Sequence, residues 1–123
     1  MPGIERRRQA PSLLMACGSL LAALAIGLSA YAAHGVGESM ARSHLETAAL
    51  YAFGHGVALA ALGPRSLNGI ARLALYLLLL GVLLFAGSLV GAALMQWPTR
   101  LAPVGGTVLM VGWVLLGLSA LKR

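Results

Sequence analysis

Residues 73–99 read LALYLLLLGVLLFAGSLVGAALMQWPT, 27 positions without a formal charge between Arg72 and Arg100. A helix rises 1.5 Å per residue, so about 20 apolar residues cross a bilayer core of about 30 Å. A soluble helix of this length would need a charged face, and none is present here. The pattern repeats outward in both directions: residues 9–37, 47–64 and 101–121 also lack formal charge. Four such runs in 123 residues predict an all-α fold, a polytopic membrane protein built as a compact four-transmembrane-helix bundle. The spacing places helices at about residues 13–33, 47–62, 73–96 and 101–121 of a single domain covering residues 13–123, after a basic tail at residues 1–12.

The composition agrees. Only 10% of residues are charged, against about 25% in ordinary soluble domains. The charges gather at the chain ends and in the three connections, as the cost of dehydrating a charge in lipid demands. A net charge of +6 raises the question of nucleic acid. No basic stripe or aromatic-interleaved basic patch accompanies it, so nucleic acid is not an expected partner. The charge reads instead as topogenic. Arg6, Arg7 and Arg8, then Arg65 and Arg72, then Lys122 and Arg123 fall on one side of an even number of spans, leaving Arg42 and Arg100 on the other. The positive-inside rule then expects both termini in the cytoplasm.

The three N-terminal arginines before an apolar run resemble a signal peptide, and Ala30-Tyr31-Ala32 offers a small-x-small site. The run at residues 13–33 exceeds the 7–15 residues of a cleaved signal, so a retained first helix is expected. Cys17 is the only cysteine, which removes a disulfide framework and paired-cysteine metal motifs.

Punctuation between the runs is clear. Gly63-Pro64 stops helix two, because proline lacks the N–H and restricts its predecessor. Asn68-Gly69 signals a turn. Trp97-Pro98 closes helix three, and Pro103 is tolerable in a first turn whose amides need no intrahelical acceptor. Tyr31, Tyr76 and Trp97 lie near helix ends, where an apolar ring with a polar edge suits the headgroup layer.

Lipid supplies no hydrophobic force between helices, so association needs close contact through small residues. Each helix has candidates: Gly18 and Ala22 in helix one; Ala48, Ala52, Gly56 and Ala60 in helix two; Gly87 and Gly91, with Ser88 between them, in helix three; Gly105, Gly112 and Ser119 in helix four. Such strips serve the bundle interior or a second subunit equally well.

The polar residues with chemical potential cluster around the first connection. His34, Glu38, His44, Glu46, Tyr51 and His55 could form a polar or metal site, since imidazole titrates near neutrality and ligates metals. No HExxH or comparable motif is present, and His34 and His44 also suit an ordinary interfacial role. His55 falls within helix two and needs a buried partner, with Tyr31, Ser29, Ser88 or a carbonyl as candidates. Glu46 suits the first turn of helix two, and Arg42 could pair with it at i, i+4. No serine has a local histidine base and no phosphate loop is present, so an enzyme lacks positive support, no catalytic residue is named and no cofactor is expected.

Several pieces in order carry a family resemblance: residues 27–35 with Ala33-His34-Gly35; residues 47–55 with Tyr51-Ala52-Phe53 before a histidine; Leu84-Phe85-Ala86-Gly87-Ser88-Leu89; and Ala102-Pro103-Val104-Gly105-Gly106 followed by Gly112-Trp113. In these the chain resembles the YgdD/YwdK-like family of small bacterial membrane proteins, built around a domain of unknown function, and the likeness covers residues 13–123. The resemblance implies four inner-membrane helices and no established activity. It flags His34, Glu46, Tyr51, His55, Ser88, Pro103, Gly105 and Gly106 as fold or site positions without assigning a catalytic role. This chain departs from the pattern by placing Gly54 between Phe53 and His55.

Three functional expectations follow. The first is a structural or accessory protein that associates with itself or with another integral membrane protein through its helices. The second is an oligomeric channel or carrier for a small solute or proton. The third is a metal-binding or redox-associated membrane protein using the histidine–glutamate group.

Overall fold

A computed structural model describes residues 11–121, and all regular structure there is helical. Four helices follow one another: α1 (Leu13–Gly35), α2 (Ser39–Leu62), α3 (Gly69–Met95) and α4 (Leu101–Ser119). With 23, 24, 27 and 19 residues, each is long and apolar enough to cross a membrane.

Side-chain caps set three of the four starts. Ser12 Oγ accepts from the Met15 amide at 3.1 Å, and Asn68 Oδ1 accepts from the Ala71 amide at 2.8 Å. Both satisfy amides that a helix leaves without internal partners. Glu38 caps α2 with both carboxylate oxygens, accepting from the amides of Met40 and Ala41 at 2.9 and 2.7 Å. That cap corrects the expected start at Thr47: α2 begins two turns earlier and carries Arg42, His44 and Glu46 on continuous helix. Asn68 likewise moves the start of α3 from Leu73 to Gly69. Arg42 does not pair with Glu46. Its Nε and Nη2 both donate to the Val36 carbonyl, at 3.1 and 2.8 Å, and tie α2 to the end of α1.

Consecutive helices pack antiparallel, α1 on α2, α2 on α3 and α3 on α4. Among the described residues, α1 and α4 make no backbone contact, so the four-helix bundle is open along that side. The core is divided by residue size. Toward the 63–68 connection it holds Leu14, Leu59, Leu75, Leu78, Val82 and Leu109. Toward the other two connections it holds Ala25, Ala48, Ala52, Ala86, Leu89 and Ala102. Alanines leave shallow clefts between neighbouring helices where leucines would fill them.

Two seams depend on glycine. A Cβ on Gly56 would sit 2.7 Å from the Gly18 carbonyl and 2.9 Å from the Ala22 amide nitrogen. One on Gly18 would sit 2.6 Å from the Ala60 nitrogen. Backbone therefore meets backbone where α1 crosses α2. At the α3–α4 seam, a Cβ on Gly105 would lie 2.8 Å from the Gly81 carbonyl, and one on Gly112 would lie 2.9 Å from the Leu78 side chain.

Gly87 and Gly91 seat no helix of the same chain. Gly87 faces open space, and Gly91 lies beneath the Trp97 ring. The chain folds back there because Gln96 takes a left-handed conformation (φ 57°) and the Trp97 amide reaches the Gly91 carbonyl at 3.2 Å. The remaining two small residues are buried: Ser119 Oγ donates to Leu116 at 2.7 Å, whereas Ser88 Oγ has no hydrogen-bond partner.

At the 63–68 end, Arg72 donates to the Arg65 carbonyl at 3.0 Å and Asn68 Nδ2 donates to the Ser119 carbonyl at 3.2 Å, fastening α3 to the connection and to α4. Arg6, Arg7, Arg8, Lys122 and Arg123 lie outside the described residues.

Candidate functional site

The most polar constellation within the spans joins α2 to α4 across an open cleft floored by α3. Trp113 Nε1 donates to His55 Nε2 at 3.0 Å. An indole N–H is a donor only, so Nε2 must be the accepting nitrogen and the ring proton sits on Nδ1. Nδ1 lies 2.9 Å from the Tyr51 carbonyl one turn earlier and donates to it. Both ring nitrogens are therefore committed. His55 finds its cross-helix partner in Trp113, which the sequence reading did not name, and its second partner in a carbonyl of its own helix.

Aromatic packing reinforces the link. The Tyr51 and His55 rings lie parallel with centroids 6.1 Å apart, Tyr51 tilts against Phe85 at 4.7 Å, and His55 meets Trp113 at 5.8 Å. Beside this row runs an open cleft of about 570 Å³ whose wall also includes Pro103, Thr107 and Met110. Thr107 Oγ1 donates to the Pro103 carbonyl at 2.9 Å, so its hydroxyl is occupied too. Gly54 faces open space on the continuous α2 helix.

The other residues singled out from the sequence are not drawn into this site. His34 is exposed in the last turn of α1, and Glu38 caps α2. The Met40 and Ala41 amide bonds lower the Glu38 pKa, with His44 a smaller influence in the same direction. Glu46 lines a separate groove between α1 and α2. Among the described residues, no group of three or more His, Cys, Asp or Glu side chains comes close enough to hold a metal ion. The structure brings Tyr51 and His55 together and leaves His34, Glu38, His44 and Glu46 strung along the α1–α2 edge.

Trp113 was findable in principle. It is the one ring N–H donor of helix four, and His55 is the one ring acceptor well inside helix two. Polar groups within lipid-spanning helices seek each other.

Four bilayer-length apolar helices, joined by short connections and packed in sequence, define a polytopic α-helical membrane protein. The chain belongs to the family described as "Protein of unknown function (DUF423)", which matches residues 28–106. It is 36% identical over 107 residues to a UPF0382 membrane protein of Haemophilus influenzae, covering 79% of this chain and 84% of that protein. The UPF0382 membrane protein YwdK of Bacillus subtilis is 30% identical over 114 residues, 85% of this chain and 93% of the relative. A UPF0382 membrane protein of Schizosaccharomyces pombe is 31% identical over 106 residues, 77% and 90% of the two chains. No solved structure matches the chain.

Proposed function

We propose that this is a structural or accessory membrane protein that works by helix–helix association, with α4 as its docking helix. The observation that carries the reading is the second strip on α4. One side of the helix, through Gly105, Leu109 and Gly112, is buried against α3. Largely opposed to it, Val104, Thr107, Val111, Val114 and Leu118 are all exposed. Their spacing alternates three and four, so Val104, Val111 and Leu118 recur every seven residues, as do Thr107 and Val114. A seven-residue repeat favours a left-handed crossing near 20°, and β-branched side chains on a helix have few rotamers to lose when another helix packs on them.

The partner is a second copy of the chain or another integral membrane protein. The Lys and Arg distribution supports cytoplasmic termini in a bacterial inner membrane, with Glu38, Glu46 and Trp97 toward the opposite surface.

Replacing Val111 and Val114 together by Phe tests the reading. The wild-type chain, solubilised in mild detergent from native membranes, is expected to migrate as an assembly larger than a monomer. The double variant is expected to migrate as a monomer with unchanged helix content. Identical monomeric migration of both would reject the reading.

A further inference from the structure

A second groove, of about 560 Å³, runs between α1 and α2 and is separate from the His55 cleft. Its walls are mostly small and apolar, Ala25, Ala30, Ala33 and Ala49, and Ile26 and Phe53 lie at its deeper end. Only two side chains along it are polar, Glu46 and Ser29. Glu46 and Phe53 are seven residues apart on one helix, which is about 10 Å along the axis. The groove therefore has a carboxylate end, near the connection that joins α1 to α2, and an apolar end deeper in the span.

Glu46 and Ser29 are both exposed along the groove. Among the described residues, neither is engaged by the protein through a side-chain hydrogen bond or an ion pair. The nearest basic side chain in sequence, Arg42, already donates twice to the Val36 carbonyl. Arg100 belongs to the connection leading into α4, which makes no backbone contact with α1 or α2. Glu46 stands at the edge of the apolar run, at the height where lipid headgroups meet the helix. A primary ammonium carries three N–H donors and no acceptor. The two Glu46 oxygens and, further along the same apolar groove, the Ser29 hydroxyl offer it acceptors.

We propose that this groove is a lipid site for a phospholipid with a primary-amine headgroup, its ammonium on Glu46 and Ser29 and an acyl chain lying toward Phe53. A quaternary ammonium lacks the N–H donors, and a glycerol headgroup lacks the positive charge, so both bind less well. The site is independent of the α4 strip, and its failure would leave the association reading untouched.

The test is native mass spectrometry of the full chain in detergent with equal amounts of synthetic ethanolamine-, choline- and glycerol-headed phospholipids of the same acyl chains. The ethanolamine adduct is expected to exceed the other two by about fivefold to tenfold, the effect of one to two polar contacts in lipid. Glu46→Gln is expected to remove the preference, and Ala30→Leu, which fills the groove and keeps the carboxylate, to remove most of the adduct. Equal adducts in the wild type, or a preference that persists in Glu46→Gln, would overturn the proposal. If Glu46→Gln does not fold, Ala30→Leu decides alone, and an undiminished ethanolamine preference in that variant would be equally fatal.

Discussion

Trp113 on α4 donates its indole N–H to His55 on α2 at 3.0 Å, across a cleft where the two helices share no backbone contact. Among the described residues, this bond is the direct side-chain polar link between the second and fourth helices. It also holds the imidazole in a single tautomer, with Nδ1 on the Tyr51 carbonyl. A ring so engaged positions helices, and neither nitrogen is free to take up a ligand without breaking the link.

Loss of the link should therefore cost stability. Trp113→Phe and His55→Ala are each expected to destabilise the folded protein by about 1 kcal/mol, within the range of interhelical hydrogen bonds in membranes. In the double variant the losses should fall short of additive, because both single changes remove one interaction. Thermal unfolding in detergent, followed by circular dichroism, measures all three. Strict additivity would mean that the two side chains do not communicate.

Glycines on the seams and in the open should respond in opposite directions. Gly18→Ala places a methyl group against the α2 backbone and is expected to cost about 1–3 kcal/mol, the usual range for overpacking. Gly54→Ala and Gly117→Ala meet nothing within 4 Å and are expected to stabilise the helices by about 0.5–1 kcal/mol. The same unfolding assay separates them. Equal effects at Gly18 and Gly54 would deny the close α1–α2 approach.

The start of α2 should be acid-sensitive. Glu38 has a lowered pKa because it accepts from the Met40 and Ala41 amides. Its contribution is present above the ordinary glutamate value of about 4.3 and is lost as pH falls through the lower folded value. Hydrogen exchange at Met40 and Ala41, corrected for intrinsic rates, should show protection falling at that acid edge. Glu38→Ala should show weak protection throughout. Protection that is indifferent to both pH and substitution would remove Glu38 as the cap.

Orientation is open to direct labelling. With Cys17 replaced by Ser, a cysteine at Gly37 is expected to react with a membrane-impermeant maleimide added to whole cells, and one at Ser66 only after permeabilisation. The reverse pattern would invert the topology.

The four spans were legible in the sequence because dehydrated charge is so costly that its absence marks the membrane by itself. Helix starts were less legible. Hydropathy registers where lipid begins, whereas α2 begins where Glu38 caps it, two turns outside the apolar run. The candidate site was half legible. His55 stood out as an interior imidazole, and Tyr51 lay one turn away on the same face. Trp113, 58 positions further on, could be joined to His55 only by the relative height of two helices that do not pack on each other. The fate of the Gly87 and Gly91 pair was also hidden, since the fold-back of Trp97 over Gly91 depends on the left-handed turn at Gln96.

Association through α4 is the central functional claim, and site-specific photo-crosslinking in native membranes tests it most directly. A photoreactive residue placed singly at each position from Val104 to Leu118 should give protein adducts at Val104, Thr107, Val111, Val114 and Leu118. Positions turned into the α3 seam, such as Leu109, should react within the chain. Adducts scattered without that three-and-four spacing, or lipid adducts alone along the whole strip, would contradict the account.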